Sequence, residues 1–101
     1  MILKRTRIRE SKILAAANGE SCANCNMQDG TVVACHSNMS VHGKGMGIKS
    51  DDIFCAFLCS KCHYMIDFGK DHSREEKEQM FYRAMSKTWR KLYELGVLKV
   101  A

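Results

Sequence analysis

Two C-x-x-C pairs, Cys22/Cys25 and Cys59/Cys62, constrain this chain more than any other feature of its sequence. A two-residue gap lets both thiolates of a pair point at one ion. Two such pairs complete a tetrahedral sulfur site, which suits zinc. Residues 26–58 lie between the pairs, longer than a simple zinc-ribbon loop and enough for a β-hairpin. A knuckle, a hairpin, and a helix whose first turn supplies the second pair make a treble-clef arrangement. We therefore expect an α+β domain stapled by structural zinc.

Competing readings of the cysteines fit less well. Disulfides are disfavoured because the basic N-terminus shows no secretory signal and the cytosol keeps thiols reduced. Nothing in the sequence selects an iron–sulfur centre. Cys59-Ser60-Lys61-Cys62-His63 matches the c-type haem attachment pattern, but that chemistry belongs to exported compartments and would leave the other pair without a purpose. Thiol–disulfide exchange fits poorly with a basic chain carrying paired knuckles. Cys35 and Cys55 fall inside expected strands and read as small buried apolar residues.

At 101 residues the chain is expected to form one domain, small enough to benefit from a metal staple. Hydrophobic residues make up 46% of it, a globular composition. No apolar run reaches the roughly 20 residues of a membrane span, so the expected location is the cytoplasm. The net charge of +5 leans weakly toward a polyanionic partner.

Residues 1–20 read as a basic arm, with Lys4, Arg5, Arg7, Arg9 and Lys12, followed by a short helix capped by Ser11 and stopped at Asn18-Gly19. Residues 21–69 hold the knuckle, a strand over Thr31–His36, a loop with alternating glycines over 37–50, a strand over Ile53–Leu58, and a helix from Cys59 to about Phe68 that Gly69 ends. Residues 73–95 form the clearest element. Ser73 and Glu76 make a capping box, and Phe81, Ala84, Met85, Thr88, Leu92 and Leu95 recur at helical spacing. Val97–Val100 is the candidate for a terminal strand.

His36 ends the first expected strand, and His63 directly follows the last knuckle cysteine. In a treble clef the hairpin packs against the helix, so the two imidazoles face one another across a cleft. One imidazole on a divalent ion and one free to take a proton make a workable hydrolytic pair.

Here the sequence resembles the HNH (ββα-metal) endonucleases, with the nearest likeness to the small phage and prophage YbcO-type nucleases. The likeness is carried by Ala34-Cys35-His36-Ser37-Asn38, the His42–Lys49 glycine-rich run, Asp51-Asp52, the Cys59–Asp67 segment and the Gly96–Val100 end. It runs from about residue 11 to the end. The resemblance implies that residues 1–101 form a single HNH-type domain that hydrolyses DNA phosphodiesters in a bacterial cell. It implies His36 as the general base and His63 as a ligand of the catalytic metal. Asp67, four residues on and on the same helical face, is implied as a second ligand. The ion implied is magnesium or manganese, beside structural zinc on Cys22, Cys25, Cys59 and Cys62. Cys35 stands where many relatives carry a metal-binding Asp, and a thiolate is a poor magnesium ligand. Asn38 and Asp52 both compete for the central Asn of the HNH pattern.

His42 and Lys44 in the glycine-rich loop are candidates for phosphate contact or for stabilising the transition state, as against a solvated lid. Lys4, Arg5, Arg7 and Arg9 are the other nucleic-acid candidates, because a mobile arm can follow a duplex backbone. Arg83, Lys87 and Lys91 form a helical stripe that reads as solvated. His72 reads as surface. The competing function is a non-catalytic zinc module that binds nucleic acid or a partner protein. Such a module needs the four cysteines but not His36, His63 and Asp67. The sequence leaves the oligomeric state open, a homodimer included.

Overall fold

A computed structural model describes residues 7–45 and 47–100. Among these the order is α1 (Ser11–Ala15), β1 (Val33–His36), a 3-10 turn (Ser40–His42), β2 (Cys55–Leu58), α2 (Ser60–Phe68) and α3 (Arg74–Glu94). The result is a small α+β fold with a two-stranded sheet and three α-helices among the described residues. No helix among them is long and apolar enough to cross a membrane.

The two strands pair antiparallel, with Val33 opposite Leu58 and His36 opposite Cys55. All four residues of β2 are buried, so both its faces and its outer edge must be covered. Its outer edge is covered by side chain and loop rather than by a third strand. The Phe57 N–H donates to Thr88 Oγ1 at 3.0 Å, and the Phe57 carbonyl accepts from the Ala23 N–H at 2.7 Å. The knuckle and α3 thereby satisfy backbone groups that would otherwise be orphaned in the core. Trp89 adds a second tie, its indole N–H donating to the Ile53 carbonyl at 2.8 Å.

α3 forms as its sequence requires. Ser73 Oγ accepts from the Glu76 N–H, and the Glu76 carboxylate accepts from the Ser73 N–H. Those bonds hold the Glu76 carboxyl below its usual range. The expected stripe Phe81, Ala84, Met85, Thr88 and Leu92 is buried. Leu95 departs from it at 49% exposure, because the helix has ended by then. Arg83, Lys87 and Lys91 face solvent.

Three other expectations shift. Ser11 is the first helical residue rather than the cap, and the capping position belongs to Glu10, whose side chain makes no cap bond. Residues 97–100 form no strand. The N–H groups of Val97 and Leu98 turn back to the Leu92 carbonyl, with Gly96 bonded to the Tyr93 carbonyl, so a Schellman turn consumes the donors a ladder needs. Gly69 does end α2, but in extended backbone rather than the left-handed region. A Cβ there would lie 2.5 Å from the Met65 carbonyl oxygen, so close approach explains the glycine.

Replacing Thr88 with valine preserves shape but removes the acceptor of a buried N–H. Urea denaturation should show a loss of about 1–3 kcal/mol, and an unchanged midpoint would mean that Phe57 finds another partner.

Candidate functional site

The four knuckle cysteines converge. Their sulfur atoms all lie within 4.8 Å of one another, with Cys25 the exposed member. Cys25 Sγ and Cys59 Sγ are 3.7 Å apart. Four thiolates at about 2.3 Å from a tetrahedral zinc would stand about 3.8 Å apart, so the cluster is close to the geometry that ion needs. The knuckle backbone is organised around it. The N–H groups of Asn24 and Cys25 point at Cys22 Sγ, at 3.4 and 3.5 Å, and Asn24 Nδ2 donates to Cys62 Sγ at 3.3 Å. Burial penalises the Cys22 thiolate, yet backbone N–H groups of Cys25, Cys59 and Asn24 outweigh that and bring its pKa to about 7. These four residues are able to hold a metal ion such as zinc.

Cys35 and Cys55 are different in kind. Both are buried, and desolvation first, then a neighbouring aspartate, pushes each to about 12. They stay thiols and pack in the core, as small apolar residues do.

Two carboxylate–imidazole pairs stand beyond the sulfur cluster. His36 closes β1, and its Nε2 lies 2.7 Å from Asp52 Oδ1. His63, in the first turns of α2, has Nε2 3.0 Å from Asp67 Oδ2. The i,i+4 spacing of a helix produces this second pair directly. Asn38 links the two strand and helix ends, its amide donating to Asp67 Oδ1 at 2.8 Å. His36 and Asn38 are separated by Ser37 alone, within about 7 Å along an extended chain. Access differs between the rings: the His63 side chain is 44% exposed and that of His36 20%. A groove of about 700 Å³ opens at Asn38 and Asp67, between the Asn38–Val41 loop, α2 and the start of α3. Its walls carry Asn38, Asp67, Arg74 and Lys77, rather than the two imidazoles themselves.

The glycine-rich loop is held from inside. His42 is buried, stacked on Phe54 at 4.4 Å, with Nδ1 2.6 Å from Ser37 Oγ. That ring buttresses the loop. Gly43 and Gly47 take φ of 94° and 68°, the left-handed turns that reverse the chain here. Lys44 is exposed. Arg7 and Arg9 have partners within the fold: Arg7 donates to the Gly43 carbonyl, and Arg9 to the Ser50 and Lys49 carbonyls, at 2.8, 2.8 and 3.1 Å. Lys4 and Arg5 lie outside the described residues. His72 is on the surface, 3.9 Å from Glu76.

Sequence reasoning offered Asp52 only as a stand-in for an asparagine and did not foresee its contact with His36. The signal available was faint: an acidic pair directly before an apolar strand.

Zinc removal should be the most disruptive perturbation here, because folding and metal binding are coupled in such clusters. Elemental analysis should find one zinc per chain, and Cys22→Ser should lose both the zinc and cooperative thermal unfolding. A Cys22→Ser protein that melts cooperatively without metal would contradict the staple.

Comparison with known proteins bears on these features. A family model described as "Putative nuclease YbcO" matches residues 11–97, most of the chain. No curated protein and no solved structure matches. The matched span includes all four knuckle cysteines and both imidazole–carboxylate pairs.

Proposed function

We propose, from the premise that this chain belongs to the YbcO nuclease family, that it is a metal-dependent DNA endonuclease of the HNH (ββα-metal) type. One observation carries this beyond the family description. Two imidazole–carboxylate pairs occupy the neighbouring ends of β1 and α2, joined by the Asn38–Asp67 hydrogen bond.

The pairs suit different tasks. His63 and Asp67 present a nitrogen and an oxygen 3.0 Å apart. Adjacent ligands of an octahedral ion at about 2.1 Å stand about 3 Å apart, so the residues present fit magnesium or manganese. Such an ion, when bound, neutralises charge on the scissile phosphate and the leaving oxygen. Two protein ligands leave open positions for water and substrate. Asn38 fixes the Asp67 carboxylate, the supporting role that outer partners of metal ligands play.

His36 acts as the general base. Its Nε2 faces an acceptor-only carboxylate, so that nitrogen carries the proton and Nδ1 is left to take one from water. Lys44, exposed on the loop, contacts backbone phosphate, together with the Lys4 and Arg5 arm. Contacts of this kind hold DNA without reading bases strongly. The adjoining groove is lined by charges of both signs, Arg74 and Lys77 beside Asp67 and Glu78, with Arg74 paired to Glu78 at 3.4 Å.

Purified protein should nick supercoiled plasmid when magnesium or manganese is supplied, and not in chelator. His36→Ala should cut on the order of 10²- to 10⁴-fold more slowly while keeping its zinc. A variant that cuts like the parent removes His36 from the mechanism. No cutting of linear, supercoiled or branched DNA with any divalent metal would leave the non-catalytic zinc module as the better reading.

A further inference from the structure

We propose that Asp52 is the positioning residue for His36, and that the segment Arg7–Glu10 is a clasp that holds Asp52 in place. The inference deepens the nuclease reading and rests on it for its catalytic consequence.

Asp52 is 4% exposed, and a carboxylate so buried requires donors on both oxygens. Oδ1 faces His36 Nε2 at 2.7 Å. Oδ2 accepts the Glu10 N–H at 2.6 Å. The Arg9 guanidinium approaches Oδ1 at 3.7 Å. The backbone binds the same two segments: the Asp52 N–H donates to the Ile8 carbonyl at 2.9 Å, and the Ile8 N–H to Asp51 Oδ1 at 3.4 Å. Arg9 spans the seam by bonding the Ser50 and Lys49 carbonyls. The arm thus reaches some forty residues along the chain to fix one carboxylate, and that carboxylate faces the proposed base.

The chemistry of the contact distinguishes positioning from mere packing. Asp52 has two acceptor oxygens: Oδ1 faces His36 and, farther off, Arg9, while Oδ2 faces the Glu10 N–H. The Glu10 N–H can only donate. In Asp52→Asn a single oxygen remains, and the Glu10 N–H claims it. The amide NH₂ then faces His36 Nε2, which must become an acceptor, so the ring proton moves to Nδ1. The nitrogen that should take a proton from water is thereby blocked. A carboxamide of the same shape keeps the packing and reverses the tautomer.

Nitrogen-15 NMR of the His36 ring in zinc-loaded protein is the direct test. The parent should carry its proton on Nε2 and Asp52→Asn on Nδ1. Plasmid nicking by Asp52→Asn should drop on the order of 10²- to 10⁴-fold in kcat, with KM little changed. An unmoved tautomer overturns the positioning role even if cutting falls. A reversed tautomer with full cutting overturns its catalytic consequence. A reversed tautomer in a protein whose parent never cuts DNA supports the geometry and sinks the nuclease reading instead. Should Asp52→Asn fail to fold, Arg9→Gln tests the clasp from the surface. It should lower kcat severalfold and hasten solvent exchange of the His36 ring proton. A rise in KM alone would make Arg9 a phosphate contact and overturn the clasp.

Discussion

Four sulfur atoms gathered within 4.8 Å of one another are the constraint on which the remaining structure depends. Ionised, they would repel strongly; neutral, they would offer little beyond the burial of small side chains. A divalent cation would turn the same group into a cross-link between residues 22–25 and 59–62. Such a link would close the chain around the hairpin and anchor the first turn of α2. It would also set the helix register. Cys59 is the N-cap of α2 and Cys62 lies in its first turn, so the ligand geometry would fix the rotation of the helix about its axis. His63 and Asp67 are aimed by that rotation, on the same side as Asn38.

The hairpin leans on both the cysteine knuckle and α3. A two-stranded sheet alone is marginal in water. Here β2 is buried throughout, and its outward backbone groups at Phe57 are claimed by Ala23 of the knuckle and Thr88 of α3. The capped helix and the metal knuckle therefore meet on the same residue. β1 inherits its order from β2, and its end at His36 is where the chemistry is proposed to start.

The features that were legible in the sequence are local ones. The capping box, the apolar stripe of α3, the spacing of the cysteines and the helical pairing of His63 with Asp67 all act over four residues or fewer. β1 and β2 were readable from branched and apolar runs, though each is shorter at its start than those runs suggested. What could not be read depends on distant partners. Val97 and Val100 have strand-forming side chains, but their fate was decided by where the Val97 and Leu98 N–H groups found a carbonyl. The basic arm reads as free charge until Arg7 and Arg9 are seen bonded to the loop. His42, a candidate for phosphate contact from its glycine-rich setting, is stacked on the aromatic ring of Phe54 and buried. Asp52 is the sharpest case, since nothing local distinguishes it from a solvated acid.

In the proposed reading, two donor sets of opposite character adjoin in sequence, at Cys62 and His63. Their chemistry keeps them distinct. Four thiolates select a soft or borderline ion and leave no open position, so the sulfur site would hold its metal as structure. An imidazole and a carboxylate offer two harder donors and several vacancies. By the usual order of divalent affinities such a pair would bind zinc more tightly than magnesium if both were equally free. With only two protein ligands, however, neither ion is held strongly, and abundance in the cell decides occupancy. In the proposed reading this favours magnesium, which would also keep the waters that a hydrolytic site requires. Cys35 is buried, its thiol pushed up to about 12 by desolvation first and then by Asp67, and it packs in the core as a small apolar residue does.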